Sequence, residues 1–386
     1  MPAVSIMLVA AEPSGDLLGA RLIQALRRRM GGEARLFGVG GPRMAKEGVE
    51  SAFDIAPLSV LGVLDALRVY PLVRRRAREL GEWAAREQPD LAVLIDSWGF
   101  TLRAARAIRR QAPRVRLVKY VGPQIWASRP GRARTLAHAV DELLTIHAFD
   151  APLFRQAGLA TTFVGNPVLA PAPERSERHA PRPVAGWPSS DQVLLLAPGS
   201  RRAEVDRLLA PMEDAVVRLV RGRPNLKVVM LAADSVAEIV SARARSWPTP
   251  VRVCLGQPEH ELAMARATAA LACSGTVTTE LAMAGVPVIV AYRLDWPTYL
   301  VARALIRTPY VSLVNVAAGR AVAPELIQPE CTGRKLALAV APLLDDPLRR
   351  AAQAEAQSAA LEIMRGGVAD PAAAAAAAVI AALKAS

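Results

Sequence analysis

Val193-Leu194-Leu195-Leu196-Ala197-Pro198-Gly199-Ser200-Arg201-Arg202-Ala203-Glu204 is the stretch on which the reading of this chain turns. Five aliphatic residues without polar alternation have the length and composition of a strand covered on both faces, as in a parallel sheet. Pro198-Gly199-Ser200 then ends the strand in a small-residue turn, and Arg201 opens a helical pattern. A turn of this kind directs backbone N–H groups and a guanidinium at a phosphate, which makes Gly199, Ser200 and Arg201 candidate ligands. Further on, Ala270-Leu271-Ala272-Cys273 runs into Ser274-Gly275-Thr276-Val277-Thr278-Thr279-Glu280 with the same chemistry. There Ser274, Gly275 and Thr276 are the expected donors, and Glu280 the acceptor for ribose hydroxyls. Two such turns in one α/β unit point to a diphosphate ligand.

The same rhythm extends in both directions. Strands are expected at 4–10, 35–38, 91–95, 115–121, 142–146 and 162–164, with helices at 16–30 and 72–88 between them. Residues 167–192 are rich in Pro, Ala, Arg and Ser, which breaks any regular element. Strands resume at 193–196, 226–231, 251–255, 269–273 and 288–291. Strand and helix in alternation argue for parallel sheets with helices on both faces. The fold class is therefore α/β: two Rossmann-like, doubly wound domains facing a central cleft. Their expected limits are 1–168, a linker at 169–192, 193–365, and an alanine-rich closing helix at 366–386. Ligands of such sheets bind at the carboxyl ends of the strands.

Composition narrows the classes. The chain has 386 residues, 52% hydrophobic and 22% charged, which is globular rather than disordered, and with 4% aromatics its core is aliphatic. No apolar run reaches the roughly 18–20 residues that span a bilayer, so a cytoplasmic protein is expected. Cys254, Cys273 and Cys331 are scattered, and the four histidines show no ligand spacing, so neither a disulfide framework nor a metal centre is indicated. Net charge is +13, with 24 Lys and Arg against 15 Asp and Glu in residues 1–168. The N-terminal half is thus expected to meet an anionic partner. Nucleic acid, an acidic membrane and a phosphorylated substrate all fit that surplus.

Several loops carry chemistry. Glu12-Pro13-Ser14-Gly15-Asp16 follows the first strand; Ser14 or Asp16 suits the cap of the next helix, and Gly15 allows close backbone approach. Asp96 ends the strand 91–95, well placed to take a proton from an alcohol nucleophile, with Glu12 and Ser14 as accompanying catalytic candidates. Trp126 and Arg129 lie in a loop suited to stacking on a sugar and clamping a phosphate. Asn315, Arg320, Glu325 and Gln328 form a late polar block that fits a nucleotide-sugar pocket. Dense aliphatics and a basic cluster, with Val60, Leu61, Val63, Leu64, Leu67, Leu72, Val73, Arg74, Arg75 and Arg76, have the composition of a membrane-surface element.

Taken in order, Glu12 to Asp16, residues 38–44, Ile95-Asp96, Trp126 with Arg129-Pro130-Gly131-Arg132, Phe163-Val164-Gly165-Asn166-Pro167, Pro198 to Arg201, Ser274 to Glu280 and Tyr310 to Gln328 resemble the lipid-A-disaccharide synthase family. The resemblance runs from about Ile6 to Leu344. It implies a glycosyltransferase B architecture and an inverting, metal-independent hexosyltransferase without cofactor. The implied donor is UDP-diacylglucosamine, and the acceptor is the 6-hydroxyl of diacylglucosamine 1-phosphate. It also implies work at the anionic inner face of the inner membrane as a peripheral protein, no nucleic acid, and possible oligomers. Asp96 matches the family's essential aspartate, Arg201 its Pro-Gly-Ser-Arg arginine, and Asn315 the asparagine of the late block. The chain departs from the family at Trp98-Gly99-Phe100, Asn166, Ser128 and Ala321, positions that bear on the acceptor more than on UDP. The alternatives are a UDP-GlcNAc 2-epimerase or lipid-linked peptidoglycan glycosyltransferase on the same scaffold, and a non-enzymatic anionic-lipid binder.

Overall fold

The computed structural model describes residues 4–58, 63–125, 131–169, 192–305 and 308–385. Val60, Leu61, Trp126, Arg129 and linker residues 170–191 lie outside the described residues, as do the side chains of Val63, Leu64 and Leu67. The chain divides into two units. The first joins the described residues up to 169 to those from Arg365 onward, and the second runs from 192 to Met364.

The first unit carries a six-stranded parallel sheet, with β1 (Ser5–Ala10), β2 (Arg35–Val39), β3 (Leu91–Ile95), β4 (Arg116–Tyr120), β5 (Glu142–Thr145) and β6 (Ala160–Phe163). Their order is β2-β1-β3-β4-β5-β6. The second sheet contains β7 (Val193–Ala197), β8 (Lys227–Ala232), β9 (Val251–Leu255), β10 (Ala269–Cys273), β11 (Val288–Tyr292) and β12 (Glu325–Ile327). It runs β12-β11-β10-β7-β8-β9, again all parallel. The short strand β12 falls inside the late polar block, where no strand was expected. Its three residues are half-buried and lack an aliphatic run long enough to announce a strand.

Strand order reverses direction once in each sheet. In the first the chain leaves β1 for β2 on one side and β3 on the other, and in the second it leaves β7 toward β8 and returns beyond it as β10. These reversals are where the crevice at the carboxyl ends of a doubly wound sheet opens. The loops beside them are Glu12 to Asp16 and Asp96 in the first unit, and Pro198 to Arg201 and Ser274 to Thr276 in the second.

The cores are aliphatic. Residues 6–10 of β1, all of β3, residues 194–196 of β7 and residues 269–272 of β10 have no measurable exposure. The closing helix Pro371–Lys384 belongs to the first unit, capped by the Asp370 carboxylate accepting from Ala373 N–H at 2.9 Å. Alanine has the highest helix propensity and no side-chain entropy to lose, and Ala375, Ala376, Val379 and Ala382 are buried beside Ile23, Leu26, Val118 and Leu144. Among the described residues no helix is long and apolar enough to cross a membrane.

Candidate active site

The backbone turns abruptly at the end of β3. Asp96 and Ser97 have φ of 51° and 39°, two successive left-handed residues that are not glycine. Such a pair persists only where the surroundings hold it. Asp96 N–H donates to the Tyr120 carbonyl at 2.8 Å, the extension of the β3–β4 ladder. Its carbonyl accepts from Thr101 Oγ1 at 2.9 Å and from Lys119 Nζ. With the main chain held, the carboxylate points to the β1 loop, where Ser14 Oγ donates to Oδ2 at 2.6 Å. Gly15 completes the fit: a Cβ there would lie 3.5 Å from that of Asp96 and 3.3 Å from the Ile95 carbonyl.

Lys119 was not singled out from the sequence. A lysine in the middle of a central parallel strand was the available signal, since such strands are covered on both faces. It is buried, donates to Thr101 Oγ1 at 2.8 Å, and burial pulls its ammonium down to about 7 against the opposing pull of Asp96 and Glu12. Below neutral pH a positive charge therefore lies at the backbone carbonyl of Asp96. Glu12 is half-buried at the start of the helix Pro13–Met30 and makes no capping bond. Beyond β5 lies a second buried group. His147 Nδ1 and Asp150 Oδ1 have no partner among the described residues, and desolvation holds the imidazole down at about 4 and the carboxyl up at about 7.

Asp16 corrects the expectation for its loop. It does not cap its own helix. Its carboxylate accepts from Gly41, Arg43 and Met44 N–H at 2.8, 3.0 and 3.0 Å, capping the helix Pro42–Lys46 and tying the β2 loop to the β1 loop. The sequence spacing hid this because the partner lies 25 residues away.

In the second unit the two phosphate-type turns differ. After β7, Gly199 adopts φ of 114° and a Cβ there would strike the Glu204 carboxylate at 2.6 Å. Glu204 accepts from the N–H groups of Ser200 and Arg201, both at 3.2 Å, and from Arg201 Nη1 at 2.8 Å. The expectation that these N–H groups receive a phosphate is corrected: an internal carboxylate three positions into the helix already takes them. Arg201 keeps a guanidinium 69% exposed. After β10, no acceptor among the described residues takes the N–H groups of Gly275, Thr276 and Val277, at the start of the helix Thr276–Met283. Glu280 stands half-buried one turn on.

The late block is also corrected. Asn315 is fully buried and spent: Nδ2 donates to the Ala323 carbonyl at 2.6 Å and to Glu325 at 2.8 Å, and Oδ1 accepts from Val322 and Ala323 N–H at 2.8 Å. Glu325 takes Val311 and Ser312 N–H at 2.9 Å, and Gln328 holds both backbone groups of Leu294. Buried polar groups need partners, and here the chain supplies all of them. These residues support the site instead of lining it. Glu325 fixes Val311, whose carbonyl accepts from Ser274 Oγ at 3.0 Å, and so the open turn after β10 is held. Arg320 is exposed.

The membrane-surface reading loses three residues, Leu72, Val73 and Arg76. The helix Val63–Glu87 runs unbroken through Pro71, and Leu72 and Val73 are half-buried against the first unit's core. Arg76 turns inward, bonded to Glu79 at 2.7 Å and 4.7 Å over the Phe53 ring, while Arg74 and Arg75 are exposed. Cys254, Cys273 and Cys331 are free, buried thiols. No three His, Cys, Asp or Glu side chains gather as a metal site among the described residues.

The family model described as lipid-A-disaccharide synthetase matches residues 6–379. The chain is 41% identical over 353 residues to the lipid-A-disaccharide synthase of Rhodospirillum centenum, covering 92% of this chain and 88% of that one. It is 40% identical over 377 residues to that of Paramagnetospirillum magneticum, covering 97% and 96%. Among solved structures, it is similar in fold to the UDP-GlcNAc 2-epimerase of Neisseria meningitidis, with a TM-score of 0.63, 11% identity, and coverage of 99% and 100%. The glycotransferase of kitacinnamycin gives a TM-score of 0.62 at 16% identity, covering 99% and 100%.

Proposed function

The chain belongs to the lipid-A-disaccharide synthase family, and from that premise we propose how its residues make the lipid A disaccharide. A 2,3-diacylglucosamine moves from UDP to the 6-hydroxyl of 2,3-diacylglucosamine 1-phosphate, forming a β-1,6 bond and releasing UDP. Asp96 takes the proton of the 6-hydroxyl as that oxygen attacks the donor's anomeric carbon. One attack from the opposite side inverts the centre. The observation that carries this reading is the Ser14–Asp96 bond at 2.6 Å on a left-handed strand end beside the reversal of the first sheet. Ser14 orients the carboxylate, and Lys119 and Glu12 set the charge beneath it.

The departing diphosphate gains charge as the glycosidic bond breaks. The unclaimed N–H groups at Gly275 to Val277, the positive end of their helix and the exposed Arg201 guanidinium suit that charge. The reaction on this reading needs no metal ion. Glu280 accepts from the ribose, and Trp126, Arg129 and Arg320 contribute to substrate binding. The exposed Arg74 and Arg75 and the start of the helix Val63–Glu87 meet an anionic membrane, which makes the protein peripheral on the cytoplasmic face of the inner membrane.

Purified chain incubated with both acylated glucosamine substrates in EDTA should release UDP and form disaccharide in equal amounts. Interconversion of UDP-GlcNAc at its C2 without an acceptor, and no disaccharide, would establish the epimerase alternative instead.

A further inference from the structure

A groove of about 870 Å³ runs between the helices Val63–Glu87 and Trp98–Gln111. Six of its twelve lining residues are arginines and none is acidic. Among the described residues Arg74, Arg106 and Arg110 have no carboxylate partner, so their charge is uncompensated. The groove begins at Trp98, two positions past Asp96. There Arg103 is held in place: its Nη1 donates to the Gly99 carbonyl at 2.6 Å and its guanidinium lies 4.9 Å over the Tyr70 ring. An arginine fixed against the first turn of the helix that follows Asp96 is pre-organised for a bidentate anion.

We propose that this end of the groove, Arg103 with Arg106, binds the phosphate monoester of the acceptor glycolipid and so sets which sugar hydroxyl reaches Asp96. The inference rests on the transfer reaction above and names its acceptor subsite. Position within the groove matters. Arg110 lies twelve residues beyond Trp98, about 18 Å along the helix axis, too far for a phosphate on the sugar whose hydroxyl is at Asp96.

The test measures initial rates with acceptor dispersed in neutral detergent micelles. Arg103→Ala and Arg106→Ala should each raise the acceptor KM roughly 10- to 100-fold, as expected for losing a hydrogen bond to a charged group, with kcat and donor KM kept. Arg110→Ala should stay close to the native enzyme. An acceptor lacking its phosphate should show the same loss on the native chain, and the two variants should lose nothing further on it. Unchanged acceptor KM in Arg103→Ala and Arg106→Ala overturns the proposal, as does an equal effect from Arg110→Ala, which would mean unspecific attraction. Weaker sedimentation with phosphatidylglycerol vesicles at unchanged micellar KM would overturn it too and give the groove to membrane headgroups. Absence of disaccharide from the native chain is a different failure, that of the transferase reading itself.

Discussion

The two sheets share an architecture and differ at their reversals. In the first unit the reversal between β1 and β3 presents a side chain: Asp96, on a left-handed backbone, fixed by Ser14 in front and Lys119 behind. In the second, the reversal between β7 and β10 presents main chain: unclaimed N–H groups after β10, beside a β7 turn closed by its own Glu204. A carboxylate held by Ser14, on a backbone held by Lys119, suits proton abstraction, where protonation state and direction matter. Backbone donors at a helix start suit a diphosphate, where fixed partial positive charge matters and no proton needs to move.

The largest effect that would break this contrast is expected at Asp96. Asp96→Asn keeps the Ser14 contact possible but removes the base, and should lower kcat by about 10²–10⁴-fold. UDP affinity, measured by calorimetry, should be unchanged, and a near-native rate would remove Asp96 from its role. Thr276→Pro is the counterpart in the second unit. Proline suits the first helical position but deletes one N–H, so UDP binding should weaken roughly 10-fold or more with the fold intact. Unaltered UDP affinity would mean that the turn after β10 is not the diphosphate site.

Lys119 sharpens the contrast through pH. Its folded value of about 7 lies below the ordinary 10.5, so between those limits the unfolded chain holds a proton that the folded chain lacks. Native stability therefore rises with pH across that window. The cost of burying the charge is fully present below about 7. Lys119→Met should gain most over the native protein below pH 7, and the difference should shrink at up to about 1.4 kcal/mol per pH unit above it. Urea unfolding at pH 6, 7, 8 and 9 measures this, and a pH-independent difference would contradict a buried, titrating ammonium. The smallest effect belongs to Glu204→Gln. If the β7 turn is structural, UDP affinity should change less than about fivefold while the melting temperature falls, because the buried Glu204 carboxylate caps its own helix. A large tightening would show instead that Glu204 competes with the ligand.

Much of this is legible in the amino-acid sequence. Apolar segments of strand length in βα alternation located eleven of the twelve strands, most plainly β1, β3, β7 and β10, where a strand buried on both faces leaves little alternative composition. Asp96, Ser14 and the two turns of the second unit stood out because functional groups gather at strand ends. What the chain order concealed were partnerships across it. Asp16 bonds to Gly41, Glu204 closes the turn that its own sequence opens, and Asn315, Glu325 and Gln328 look like a ligand pocket yet bond to backbone and to neighbouring side chains. Composition tells that a polar group has to be satisfied, and not by what.

By itself, then, the sequence determined the alternation of elements, the two parallel sheets and the residue types at their strand ends, since periodicity and apolar runs are local properties. The tertiary structure alone decided which carboxylate is aimed and which is spent, which N–H groups stay open, and that a lysine lies under Asp96. Hydrogen bonds and desolvation depend on neighbours in space that are distant along the chain.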